Sequence, residues 1–328
     1  MVIAVDAMGG DNAPGCVIEG VRQYLAVHGE DTIRLFGKKE LLTDLPERVE
    51  VINCPEVITM NDEPMLAIRR KQDSSLVMGL KDVKDGASRA FVSAGSTGAL
   101  FLGGMVILRM LKGISRPALA PVLPGTKNPF VLLDSGANAD CQPEYLNQFG
   151  LMGSAYMKSV FGVESPRVGL VNIGIEPEKG AKLYKDAYQL MNAQTAYRFG
   201  GNCEAREIQK GEFDVVVADG FTGNVILKYA EGFAACLLGT IKGEVMKTLR
   251  GKLGGLLLKP AFKNIKKQMN TDEYGGAPLI GVNGVVVKAH GSSKGYAFYR
   301  ALEQARMMAQ NDLVGKIQEG LLSLSENK

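Results

Sequence analysis

The chain has 328 residues, 46% of them in the hydrophobic set and 22% charged, a globular composition sufficient for one large domain or two moderate ones. A formal net charge of +3 does not call for nucleic acid, and five scattered Cys with only two His argue against a zinc site and against a disulfide framework, so a reducing cytosol is the simplest setting. The start, MVIAVDAMGGD, lacks the basic and apolar regions of a signal peptide, and no run of about 18 uninterrupted apolar residues reads as a membrane span.

Taken in order, residues 2–5 read as a strand ending at Asp6, and Pro14 opens a helix to about Val27. Strands at 32–36 and 49–52 complete a βαβαβ pattern, the mark of a parallel sheet with crossover helices. A turn at Asn61-Asp62-Glu63-Pro64 precedes residues 65–70, and a helix follows at 74–84. The strand 90–93 ends in SAGSTGAL and enters an apolar helix to about Met110. Four Pro make 115–130 an irregular crossing or a lobe boundary, after which 131–133 form a strand ending in Asp134-Ser135-Gly136-Ala137-Asn138. Helices at 143–160 and 181–192 flank a strand at 167–172, which ends in NIGIEPEKG.

The continuous apolar run Val215, Val216 and Val217 reads as a central strand buried on both faces. It ends at Asp219-Gly220, and a helix is expected from about Thr222 to Leu249, with a break near Gly239 or Gly243. The glycine-rich joint YGGAPLIGVNG leads to a strand at 285–287, then KAHGSSKGYAF, then a last helix to about Ile317. The result is a mostly parallel α/β/α body with two lobes that need not be contiguous in sequence.

Polar, glycine-rich segments recur at the carboxyl ends of the strands, where open α/β sheets bind ligands. Ser96 and Thr97 supply hydroxyls and backbone N–H donors suited to an anion, without the Gly-Lys-Ser/Thr ending of a nucleotide P-loop. His290, followed by Gly291, Ser292 and Ser293, makes a second oxyanion cradle, whereas His28 reads as a helix-end residue. Lys179 is a mobile cation at a strand end. The G-x-S-x-G elbow of hydrolases and the dinucleotide G-x-G-x-x-G after the first strand are both absent. Between Glu244 and Asp272 the chain has no acid but carries Lys247, Arg250, Lys252, Lys259, Lys263, Lys266 and Lys267. Leu258, Phe262, Ile265 and Met269 share one helical face there, beside the apolar knot Leu256, Leu257 and Leu258. An amphipathic basic hairpin over 240–273 fits a contact with anionic lipid, docking of an acidic carrier protein, or packing in a dimer.

In order and spacing, VDAMGGDNAP (5–14), SAGSTGAL (93–100), RPALAPVLP (116–124), LLDSGAN (132–138), NIGIEPEKG (172–180), DGFTGNVILK (219–228), YGGAPLIG (274–281) and AHGSS (289–293) resemble the bacterial phosphate acyltransferases, the PlsX family, over nearly the whole chain. Ser96 stands where that family often has Asn, and Ser135 where it often has Val. The resemblance implies a fold like the isocitrate and isopropylmalate dehydrogenases without their hydride chemistry, spread over residues 1–328 as one two-lobed unit, and a homodimer. It implies transfer of a fatty acyl group from acyl carrier protein to inorganic phosphate, with no cofactor or metal, and a product passed to the membrane glycerol-3-phosphate acyltransferase. It assigns catalysis to Lys179 and Asn224 and favours peripheral attachment to the inner face of the cell membrane. Substrate binding is expected at Ser96, Thr97, Asn138, Asp219, His290, Ser292 and Ser293. The alternatives are an acyl-CoA phosphotransacetylase and a non-enzymatic lipid- or carrier-binding protein. A metal-dependent β-decarboxylating dehydrogenase is disfavoured by the lack of an aspartate cluster.

Overall fold

The computed structural model describes residues 1–325, apart from the side chains of Lys266, Lys267 and Ser325. Its strands form two sheets. The seven-stranded sheet holds β1 (Val2–Asp6), β2 (Thr32–Gly37), β3 (Val49–Asn53), β4 (Ala90–Ser93) and β5 (Ala118–Leu119). The chain then builds the five-stranded sheet from β6 (Val122–Leu123), β7 (Phe130–Leu133), β8 (Arg167–Asn172), β9 (Arg198–Glu204) and β10 (Val215–Val217). It returns with β11 (Ala277–Ile280) and β12 (Val285–Lys288) to complete the first sheet. The strand orders are β3-β2-β1-β4-β12-β11-β5 and β6-β7-β10-β8-β9. Every residue of β4, β7, β10 and β12 is buried, as strands covered by helices on both faces require; β7 and β10 are wholly apolar, while β4 and β12 end in the polar Ser93 and Lys288.

Eleven α-helices cover the sheets among the described residues: α1 (Gly15–Val27), α2 (Pro64–Arg70), α3 (Ser75–Lys84), α4 (Thr97–Gly103), α5 (Pro143–Phe161), α6 (Lys182–Ala193), α7 (Gly220–Met246), α8 (Leu249–Leu257), α9 (Lys259–Gln268), α10 (Gly295–Gln310) and α11 (Leu313–Ser325). One continuous core runs beneath both sheets, joining Val5, Tyr24 and Phe298 to Phe149, Tyr156 and Val215. A second core packs α3 and α4 on the opposite face of the seven-stranded sheet, and a smaller one lies against β7 and β10.

Four local expectations are corrected. The glycine-rich joint at 274–281 contains a true strand, β11, antiparallel to both neighbours. The Pro-rich crossing contributes the short strands β5 and β6. The last helix is two helices, separated where Asp312 adopts φ +48. Helix α7 runs to Met246 without a break at Gly239 or Gly243, about 40 Å at 1.5 Å per residue. It is also long and apolar enough, by length and composition, to cross a membrane, which a search for uninterrupted apolar runs misses because Lys228 and Glu231 interrupt it.

The base of α7 is seated in the five-stranded sheet by close backbone approach. A methyl group added at Gly223 would stand 1.9 Å from the carbonyl oxygen of Asp134. Gly223→Ala is therefore expected to lower stability by about 1–3 kcal/mol through overpacking, read as a lower urea midpoint at unchanged slope.

Candidate active site at the strand ends

Two polar clusters form where the parallel strands end. In the seven-stranded sheet, Asp6 at the tip of β1 accepts the Ser93 hydroxyl at 2.7 Å and the Met8 N–H at 3.1 Å. Ser93 Oγ in turn accepts the Gly95 N–H at 3.0 Å. Ser96 is buried and caps α4, with its Oγ 3.4 Å from the Ala99 nitrogen, while Thr97 is exposed beside it. The adjacent strand β12 delivers the His290 loop to the same edge, and the Ala289 N–H donates to Ser93 O at 2.9 Å. His290 is exposed; its Nδ1 lies 2.8 Å from Ser292 Oγ and accepts the Ser292 N–H at 3.2 Å. Ser293 is buried and its N–H donates to His290 O. Asn12 closes the cluster by donating its amide to the Ser292 and Ser293 carbonyls at 3.2 and 3.1 Å.

Lys288, absent from the expected site, lies at its floor. Only 7% exposed, its ammonium donates to Ala94 O and Ala289 O. Burial depresses its pKa to about 8, against the opposing pull of Asp6 and Asp11.

In the five-stranded sheet, β8 and β10 are parallel neighbours, so the loops after them sit side by side. Lys179 is exposed in the turn after β8, its stem over Gly174, and its carbonyl accepts the Asn172 amide at 3.1 Å. Asn224 is exposed in the first turns of α7, packed against Gly136. Gly136 adopts φ +132, a conformation a side chain resists, and a methyl there would lie 3.1 Å from Asn224 Nδ2.

Asp219 caps α7: its carboxylate accepts the Thr222 N–H at 2.9 Å and the Thr222 hydroxyl at 2.7 Å. It also accepts the hydroxyl of Tyr184, whose pKa is raised by burial and by this carboxylate. Because Tyr184 lies in the first turn of α6, directly after the Lys179 turn, this bond ties that turn to the base of the Asn224 helix.

Asn138 is buried with both amide hydrogens committed, to Pro117 O at 2.8 Å and Asp134 at 3.0 Å, which makes it a strut of its loop. Asp134 collects N–H donors from Leu119, Ala137 and Asn138, while its full burial pushes its pKa up. Leu119 belongs to β5, so this contact joins the second sheet's tip to an edge of the first. Glu204 and Arg206, at the end of β9, pair with each other at 2.8 Å. The thiols of Cys16, Cys54, Cys141 and Cys203 are all pushed up by burial, so none is set up as a thiolate. His28 ends α1 and pairs with Glu303 at 2.6 Å.

The hairpin residues fall in α8 and α9, beyond α7. Leu256, Leu257 and Leu258 are exposed in and just after α8; Lys259 and Lys263 are exposed in α9, where Phe262 is half-buried. Lys266 and Lys267, expected on the same basic face, have side chains outside the described residues. A cleft of about 470 Å³ lies at the hairpin's base between Ala230–Leu238 of α7 and residues 269–272, away from the strand tips.

The α/β/α body is a fold that phosphotransacetylases share. A phosphotransacetylase from Streptococcus pyogenes superposes with a TM-score of 0.64 at 17% identity, over 94% of each chain. A branched-chain phosphotransacylase from Enterococcus faecalis V583 does so with a TM-score of 0.60 at 15% identity, over 94% of this chain and 99% of that one. These likenesses show the fold. Residues 1–316 match the family described as fatty acid synthesis protein. A phosphate acyltransferase from Alkaliphilus oremlandii (strain OhILAs) is 50% identical over 336 residues, covering 100% of this chain and 99% of its own. One from Clostridium botulinum (strain Loch Maree / Type A3) is 49% identical over 338 residues, with the same coverage. The chain belongs to this family, the PlsX phosphate acyltransferases, and is an acyltransferase that moves acyl groups to phosphate.

Tyr184→Phe removes one hydroxyl and leaves the ring. It is expected to lower stability by about 1 kcal/mol and to reduce turnover more than that loss alone accounts for, because the Lys179 turn and α7 lose their shared anchor; denaturant midpoints compared with kcat check this.

Proposed function

We propose that the acyl donor is a fatty acyl thioester of acyl carrier protein and that phosphate attacks it directly, without an acyl-enzyme. Phosphate is already a competent nucleophile. Held by the Ser96-Thr97 and Ser292-Ser293 loops with His290, one of its oxygens forms a bond to the thioester carbonyl carbon. The tetrahedral intermediate carries an oxyanion, and Lys179 and Asn224 donate to it. Its collapse breaks the C–S bond, releases the carrier thiolate to take up a proton, and leaves acyl phosphate. Asp219 and Asn138 act by holding the α7 base and its facing loop. The observation that carries this reading is the delivery of Lys179 and Asn224, an ammonium and an amide both free to reach solvent, by neighbouring strands tied together through Tyr184 and Asp219.

The chain is read as one two-lobed unit, with residues 240–273 as its contact region. Leu249, Leu253, Leu256 and Leu257 are 63–84% exposed in α8, amid uncompensated Lys and Arg. That combination suits an anionic membrane surface on the cytoplasmic side and the acidic carrier protein, beside the membrane glycerol-3-phosphate acyltransferase that takes the product. Along α7, Phe221, Val225, Tyr229 and Phe233 form a separate exposed stripe, suited to a homodimer.

Mixing the protein with long-chain acyl carrier protein and labelled phosphate, then trapping with hydroxylamine, should yield acyl hydroxamate. Substitution of acyl-CoA as the better donor would favour the phosphotransacetylase alternative instead. Lys179→Ala and Asn224→Ala should each lower kcat by about 10²–10³-fold, roughly 3 kcal/mol, with unchanged circular dichroism; near-native turnover at saturating substrates would remove that residue from the mechanism.

Leu257→Glu should abolish flotation with vesicles containing anionic lipid while leaving turnover on soluble donor intact. Unchanged flotation would end the membrane reading.

A further inference from the structure

The buried ammonium of Lys288 has no carboxylate in direct contact, and Asp6 and Asp11 act on it only at longer range. Among the described residues no carboxylate lies within 4.0 Å of its Nζ, and its two acceptors are the neutral carbonyls of Ala94 and Ala289. A buried cation normally has an ionic partner, because a lone charge removed from water is strongly unfavourable. Neither nearby acid forms an ion pair with it: Asp6 accepts Ser93 and the Met8 N–H, and Asp11 is exposed in the loop beyond β1. Lysine has three donors, and two are accounted for.

The position of this charge is as informative as its isolation. Ala94 and Ala289 begin the loops that carry Ser96-Thr97 and His290–Ser293, so Nζ sits beneath the junction of the two anion-suited segments. Helix α10 starts directly after the second loop; its cap residue, Lys294, makes no side-chain capping bond, and the Glu19 carboxylate of α1 lies against Gly295 in its first turn.

We propose that Lys288 is a phosphate-binding residue: its buried ammonium is the fixed counter-charge of the inorganic phosphate held between the β4 and β12 loops, on the sheet that does not carry Lys179 and Asn224. This assignment rests on the acyl-to-phosphate reading and deepens it, by dividing the work between sheets. The first sheet holds the nucleophile, and the second stabilises the oxyanion.

A pH dependence follows. The charged groups acting on Lys288 are Asp6 on β1 and Asp11 in the loop after it; His290 and Lys294 follow it in the chain, and Glu19 of α1 lies against Gly295; Cys54, next to Asp6, is pushed by burial up to about 12 and stays neutral. With a pKa lowered to about 8, Lys288 in the free protein is charged below that pH and loses its charge above it. Phosphate affinity should therefore be high near pH 7 and fall as pH rises beyond about 8.

The test uses the full-length protein and inorganic phosphate alone, by equilibrium dialysis with labelled phosphate, alongside steady-state kinetics. For the wild type, the Kd for phosphate should rise at least tenfold between pH 7.5 and 9.5. Lys288→Met should raise Kd and KM for phosphate at least tenfold at pH 7.5 and change KM for the acyl donor less than twofold. Lys288→Arg should keep its phosphate affinity across that pH range, since a guanidinium stays charged. A flat wild-type profile overturns the proposal without any variant, as does native phosphate affinity in Lys288→Met. Phosphate binding that depends on Lys288 without acyl phosphate formation would leave the site standing and refute the acyl-transfer reading. Product formation with Lys288-independent phosphate binding would do the reverse.

Discussion

Buried carboxylates at the carboxyl ends of parallel strands must be satisfied, and in this protein nearby loops supply most of the donors. Asp6 is met by Met8 and Ser93, Asp134 by Ala137, Asn138 and Leu119, and Asp219 by Thr222 and Tyr184. Each carboxylate thereby fixes the backbone that follows its strand. Thr97, Lys179, Asn224 and His290 stand exposed in or beside the segments that follow these strands. Mobile side chains on an immobile frame are what a positioned displacement at a carbonyl needs.

The two sheets divide the polar groups unequally. The first gathers hydroxyls, backbone donors and one buried cation, which suits a multiply charged oxyanion. The second offers an ammonium and an amide at its surface, which suit charge that appears only during reaction. The Asp134–Leu119 bond and the core that runs under both sheets keep the two sets in fixed relation. The likeness to phosphotransacetylases at 15–17% identity lies in this frame.

Much of this was legible in the residues. Val215–Val217 announces a strand buried on both faces, and the DGFTGN turn after it announces a helix start, because apolar runs and caps are local signals. β11 was hidden because Gly275, Gly276 and Pro278 look like a joint; only pairing with β5 and β12 makes that segment a strand. The break at Asp312 carries no Gly or Pro to mark it. In the site, His290, Ser292 and Lys179 stood out by type and position. Tyr184 did not, since its bond to Asp219 spans 35 residues and exists only once the sheet has formed. Lys288 carried a signal that was overlooked: a lysine closing a strand of Val285, Val286 and Val287 is pulled into the interior by its neighbours.

The chain leaves the first sheet at Leu119 and does not come back until Ala277, yet β12 is the strand lodged between β4 and β11. During synthesis the first lobe therefore waits, with the flank of β4 uncovered, for almost the whole polypeptide to emerge. The five-stranded sheet has no such wait, since its strands run contiguously from Val122 to Val217. The first sheet is therefore the one completed last, and a chain cut short before Val285 lacks the strand that carries the His290 loop.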